Sequence, residues 1–222
     1  MKGDLIPVQV LSVQLIANAM PGLCRAYGFP DTVRSIGLIS TDCDDATYIA
    51  LDEATKAANV RVVYGRSLYA GAANASTKLA GEVIGILGGA NPSEVRSGLR
   101  AAEEAVRSIG FRAANDEGDI VYLAHSIART GSYLSELAHI PLGQPLAYLI
   151  APPVEATVGL DAALKASDVE LKELFAPPSE TNFAGGLLTG SQSACRAACD
   201  AFAEAVCAVA ANPIYTGGSY VI

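Results

Sequence analysis

Internal duplication constrains this chain more than any other feature. Displaced by 111 positions, half of its 222 residues, the sequence aligns with itself. The segment IANAMPGLCRAYGFPDTVRSIGLIS (16–40) falls on IARTGSYLSELAHIPLGQPLAYLIA (127–151) without a gap. Ile16 meets Ile127, Leu23 meets Leu134, Pro30 meets Pro141, and Leu38-Ile39 meet Leu149-Ile150. After small deletions, ATYIALDEATKAANV (46–60) falls on ATVGLDAALKASDV (156–169), and SEVRSGLRAAEEAV (93–106) on SACRAACDAFAEAV (193–206). Halves of this size suit two small domains. The expected domains are 1–111 and 112–222, with the boundary near the polar stretch RAANDEGD (112–119).

Each half reads as a mixed α/β unit. VRSIGLIS, VRVVYG and EVIGILGG are strands by their β-branched and apolar content. DEATKAAN is a short helix between the first two. ANPSEVRSGLRAAEEAVRSIG is a long helix: Asn91 caps it, Pro92 suits its first turn and Glu94 favours its positive end. Its apolar stripe is Val95, Leu99, Ala102, Val106 and Ile109, repeated in the second half as Cys195, Cys199, Phe202, Val206 and Val209. A further helix is expected before the first strand of each half, over roughly 8–27 and 119–138.

Composition narrows the function. A formal charge of −8 argues against nucleic-acid binding, which needs clustered Lys and Arg. It also disfavours anionic membrane surfaces and suits cationic or neutral small molecules. No apolar run is long enough for a transmembrane helix, and Asp4 and Pro7 make the N-terminus read as structure rather than a signal peptide. Five scattered cysteines fit reduced thiols in a cytosolic protein. Only 17% of residues are charged, so burial between subunits is expected.

The densest chemistry is STDCDDATY (40–48), where Asp42, Asp44 and Asp45 surround Cys43 directly after an apolar strand. Asp-x-Asp in that place fits a metal-dependent hydrolase using Asp42 and Asp44. The repeat counterpart APPVEATV keeps a single acid, Glu155, so the cluster belongs to one half alone. A solvated turn whose acids cap the next helix and a ligand site stand level, both ahead of catalysis. Cys195 and Cys199 have a spacing that can chelate zinc, but their counterparts Val95 and Leu99 mark them as core. His125 and His139 lack a nucleophile elbow nearby. Gly88-Gly89 lies between a strand and a helix start, where a structural turn is simpler than an anion site. No P-loop or dinucleotide motif occurs, and no cofactor or metal is expected. Two long loops, 65–82 and 175–186, occupy equivalent places and are rich in small residues.

LDEATKAANVRVV with the later EVIGILGGANPSEVRSGLRAAEEA resembles the bacterial microcompartment shell proteins. Lys56 and Lys165 match the lysine that lies at the tile edge in that family. Asn59 and Val60 match its motif, and Asp168 departs from it at the Asn. RSIGLISTDCDDATYIALDEATK, VVYGRSLYAGAA, RTGSYLS, LDAALK, PPSETN and LTGSQSACRAAC are similar to the tandem-domain, ethanolamine-utilisation type, over nearly the whole chain.

The resemblance implies two tandem, permuted, ferredoxin-like shell domains, α/β (α+β) in class, and a non-enzymatic, cytoplasmic shell tile. It implies a homotrimer that forms a pseudohexagonal tile, meets other shell proteins and carries a central pore. The gate is expected in Ser67, Leu68, Tyr69, Ala70, Gly71 and Ala72 of the first loop, and in Pro178, Ser179, Glu180, Thr181, Asn182 and Phe183 of the second. A smaller acidic pore in each subunit is expected to bind ethanolamine through Asp44, Asp45, Glu82 and Phe111, with Thr181 and Asn182 contributing. Carboxylates suit the ammonium and a polar group the hydroxyl. The other readings of the residues are a soluble cation-binding sensor and, behind it, the metal-dependent hydrolase.

Overall fold

The computed structural model describes residues 1–68, 82–177, 179 and 181–214. They form two compact units. The first comprises Pro7–Gly110 together with Gly131–Glu136; the second comprises Met1–Ile6, Phe111–Thr130 and Leu137–Ile222. Relative to a cut between 111 and 112, the first half gives Met1–Ile6 and Phe111 to the second unit, and the second half gives Gly131–Glu136 to the first.

The first unit is a four-stranded antiparallel sheet built from β1 (Val10–Ile16), β2 (Ser35–Thr41), β3 (Arg61–Ser67) and β4 (Val83–Gly89) in the order β1-β2-β4-β3. A short helix α1 (Pro21–Tyr27) links β1 to β2. The longer α2 (Asp44–Ala57) and α3 (Pro92–Val106) pack against each other and onto the sheet. Ile39, Leu51, Leu87, Val95, Leu99 and Val106 form their shared core. Close packing explains the glycines of β2 and β4. A methyl on Gly37 would lie 2.7 Å from Val95, and one on Gly88 would lie 2.8 Å from Val33 and Val63, well inside van der Waals contact. Gly88 and Gly89 thus belong to a packed strand end. Asn91 caps α3 as its sequence implies, accepting the Glu94 amide at 3.0 Å. The Glu94 carboxylate in turn takes the Asn59 amide at 2.8 Å.

The second unit repeats this plan. Strands β6 (Val121–Ile127), β7 (Leu146–Ala151), β8 (Val169–Phe175) and β9 (Ala184–Gly190) lie in the order β6-β7-β9-β8, with the two-residue β5 (Arg112–Ala113) added outside β6. Helix α4 (Ser132–Leu137) follows β6 in the chain, but all of it except Leu137 groups with the first unit. Helices α5 (Pro153–Ala166) and α6 (Gln192–Ala211) pack on the second unit's sheet around the buried ring of Phe202. Even the irregularities recur: β3 slips register between Val62 and Tyr64, and β8 between Leu171 and Glu173. Both α2 and α5 have 14 residues, so the residue missing from the second copy is lost outside the helix. Counted along the helices, Asp52 corresponds to Asp161, Thr55 to Leu164 and Lys56 to Lys165.

The start of each repeat corrects the sequence expectation. The segments 8–27 and 119–138 are not single helices: each is a seven-residue strand followed by a short helix. VLSVQLI and VYLAHSI hold β-branched and apolar residues that fit a period of two as well as a helix. Pairing with β2 and β7 along their length decides for the strand. The helix over 52–59 is in turn longer at its start, beginning at Asp44.

Candidate functional site

The acid cluster lies where β2 turns into α2. Cys43, in extended conformation, precedes the first helical residue, and Asp44 and Asp45 fill the first turn, where the positive end of the helix favours carboxylates. A hydroxyl network fixes the turn. Thr41 and Thr47 Oγ1 lie 2.6 Å apart, the Cys43 amide donates to Thr41 Oγ1 at 3.1 Å, and the Thr47 hydroxyl donates to the Cys43 carbonyl at 2.8 Å.

The turn is not solvated. Asp44 and Asp45 are only 7% and 8% exposed. Asp44 Oδ2 accepts the Ser67 hydroxyl at 2.7 Å, its Oδ1 accepts the Asp45 amide at 2.8 Å, and Ser67 Oγ lies 2.8 Å from the Tyr48 hydroxyl. Two largely buried carboxylates and two hydroxyls thus converge across α2 and the end of β3. Ser67 stands in the sequence as a pore-loop residue, and Tyr48 drew no attention there. Only the pairing of β3 in the sheet brings them to Asp44, and no local signal in the sequence shows it.

Asp42 is separate. Its Oδ1 accepts the Gln9 amide at 2.7 Å and its own amide donates to the Gln9 carbonyl at 3.2 Å, so it ties the chain before β1 to the end of β2. Asp42 and Asp44 therefore serve different partners. Burial, reinforced by Asp45, pushes the Cys43 thiol well above its ordinary value, as expected for a bystander.

Glu82 enters the same neighbourhood through the backbone. Its amide donates to the Thr41 carbonyl at 2.8 Å, and its carbonyl accepts from Leu68 at 2.7 Å. Phe111, Thr181 and Asn182 belong to the second unit. There the Phe111 ring stands 5.2 Å from that of Phe183, and its carbonyl accepts the Ile6 amide at 2.8 Å. Ser179 Oγ takes the Thr181 amide at 3.2 Å and donates to the Phe183 carbonyl at 2.6 Å, fixing a tight turn before β9. Tyr69, Ala70, Gly71, Ala72, Pro178 and Glu180 lie outside the described residues.

The remaining candidates resolve into structure. Cys195 and Cys199 are buried in the α6 core; burial raises both thiols, Cys199 to about 12. Both should therefore resist a colorimetric thiol reagent at pH 8 in the native protein and react fully once it is unfolded. Rapid native labelling at either position, located by peptide mass, contradicts the packing. Among the described residues, no three His, Cys, Asp or Glu side chains gather as metal ligands. No helix among them is long and apolar enough to cross a membrane. The lysine pair differs between repeats: Lys165 Nζ holds exposed Asp161 at 2.6 Å, whereas Lys56 pairs with Glu53 and lies 3.8 Å from buried Asp52.

Comparison with known proteins places this geometry. The BMC domain family matches residues 35–115. The bacterial microcompartment shell protein EutL of Clostridium perfringens is 63% identical over 215 residues, covering 96% of this chain and 99% of that protein. The solved structure of the ethanolamine utilization protein EutL from Leptotrichia buccalis superposes with a TM-score of 0.95 at 61% identity, covering 97% of this chain and 100% of the other. The trimeric microcompartment shell protein PduB shares the fold alone, with a TM-score of 0.73 at 19% identity over 94% of each chain.

Proposed function

The chain belongs to the EutL family of bacterial microcompartment shell proteins, which are structural and not enzymatic, and on that premise we propose that three copies form one tile of the ethanolamine-utilisation shell. The observation that carries this reading is the repetition of the β1-β2-β4-β3 sheet as β6-β7-β9-β8 within one chain. Three copies of a duplicated unit supply six similar wedges, which close a flat ring by cyclic symmetry. The two repeats, 1–111 and 112–222, are the two shell domains of this reading.

The ring centre is a pore, gated by the segments that link β3 to β4 and β8 to β9. The acid cluster is a receptor for ethanolamine. Asp44 and Asp45 take the ammonium through charge-assisted hydrogen bonds. Glu82 adds a third acid from the same unit, and Phe111, Thr181 and Asn182 are the further candidate contacts of this reading, a carbonyl or hydroxyl being suited to the alcohol. Withdrawal of Asp44 and Asp45 from water supports the assignment, because a cation gains more from carboxylates in a low-dielectric site. Ligand binding then biases the gate, provided that ethanolamine has different affinities for its two states.

The tile meets its neighbours, including other shell proteins, along edges that carry Lys56 and Lys165. Overproduced protein should form flat sheets visible by electron microscopy, and Lys165→Glu should abolish them while leaving discrete trimers. Sheets that persist in both Lys165→Glu and Lys56→Glu contradict the edge assignment. A native mass equal to one chain contradicts the tile.

A further inference from the structure

Asp44, Tyr48 and Asp52 stand four residues apart on α2, so they share one face of the helix. The far end of this stripe is clamped to Gly131–Glu136, the segment of the second repeat that folds into the first unit. The buried Asp52 carboxylate accepts the Gly131 amide at 2.6 Å and the Leu134 amide at 2.9 Å, and Thr55 Oγ1 accepts the Ser132 amide at 3.0 Å. Tyr133 of the same segment lies beside Tyr48, with ring centroids 6.2 Å apart.

Both rings press on β3 at Gly65. A methyl there would lie 3.0 Å from the Tyr133 hydroxyl and 3.3 Å from the Tyr48 ring, tighter than ordinary contact. Two residues further on, Ser67 ends β3. The Tyr48 ring is therefore held between its neighbour and the strand, with its hydroxyl 2.8 Å from Ser67 Oγ.

The supply of hydrogens gives that contact a direction. A serine hydroxyl has one hydrogen, and Ser67 donates it to Asp44 Oδ2 at 2.7 Å. Tyr48 is then the donor to Ser67. The two hydroxyls form a chain, Tyr48 to Ser67 to Asp44, in which each bond polarises and strengthens the next. At its other oxygen Asp44 accepts the Asp45 amide at 2.8 Å. A carboxylate held at both oxygens cannot rotate without breaking one of the two bonds. Orientation fixed before a ligand arrives reduces the cost of binding it.

We propose that Tyr48 is a positioning residue of the cation receptor, which orients the Asp44 carboxylate through Ser67 and does not itself touch the ligand. The inference rests on the receptor reading of Asp44 and adds the residue that sets its geometry.

The test is a double-mutant cycle, read by calorimetric titration of ethanolamine into the full-length protein. Tyr48→Phe should weaken binding about threefold and Ser67→Ala about fivefold, within the range of one hydrogen bond. The double variant should bind no more weakly than Ser67→Ala alone, because Tyr48 has no route to Asp44 without the Ser67 hydroxyl. Ser67→Thr restores that hydroxyl and should recover about half or more of the affinity lost in Ser67→Ala. Losses that multiply to about fifteenfold in the double variant overturn the positioning role and leave the receptor standing. So does a Tyr48→Phe affinity equal to that of the unaltered protein, or a Ser67→Thr affinity no better than that of Ser67→Ala. Absence of ethanolamine binding by the unaltered protein overturns both.

Discussion

Asp52→Ala should destabilise the protein by about 2–4 kcal/mol, read as a lower midpoint in urea. The side chain is 1% exposed and closes a gap of 79 residues along the chain by accepting the amides of Gly131 and Leu134. Alanine leaves both amides buried with no acceptor, and each such group costs about 1–3 kcal/mol. Relief of the desolvated charge offsets part of that loss. Asp52→Asn keeps one acceptor and should cost about half as much. Burial also raises the carboxyl above its ordinary range, outweighing the two amides and Lys56 that pull it down. Because the folded value lies above the unfolded one, the folded state holds the proton more tightly. The Asp52 contribution therefore favours folding as pH falls through the folded value, and is lost as pH rises through it. Asp52→Asn should remove that component of the pH profile. An Asp52→Ala midpoint equal to that of the unaltered protein contradicts the role.

Asp44→Asn and Asp45→Asn should each weaken ethanolamine binding by at least about tenfold, the equivalent of one charge-assisted hydrogen bond of about 1.5–3 kcal/mol. Calorimetric titration provides the readout. Asp42→Asn serves as the comparison, because its carboxylate is already committed to the Gln9 amide. Asp42→Asn should leave the affinity within about twofold, since it removes no charge from the pocket itself. Ser67→Ala removes the hydroxyl that donates to Asp44 and should weaken binding less than either carboxylate change. Equal loss in Asp42→Asn and Asp45→Asn points to general surface electrostatics instead of a defined receptor.

The duplication, three of the four strands of the repeated sheet and the α3 cap were legible in the sequence because each rests on local pattern. Asn91 before Pro92 and Glu94 specifies a helix start by hydrogen bonding within one turn. The lone acid Glu155 opposite STDCDDATY showed that the cluster belongs to one half. What the sequence concealed depends on distant pairing. β1 read as helix because its apolar residues fit both periods until β2 is placed beside it. The turn at Asp44 read as either solvated or liganded, and its burial depends on packing that brings Ser67 and Tyr48 onto it. Residues Gly131–Glu136 lie past any boundary near 112–119, and their grouping with the first unit depends on Asp52, a residue that in sequence looks like one more acid on a helix.

The central claim is that the acids after β2 receive a cation within a shell tile. The most direct test is a structure of the protein determined in the presence of ethanolamine. The account predicts a cyclic trimer with the ammonium at hydrogen-bond distance from Asp44 and Asp45. A trimer with both carboxylates holding only their present partners, and ethanolamine bound elsewhere or not at all, contradicts it.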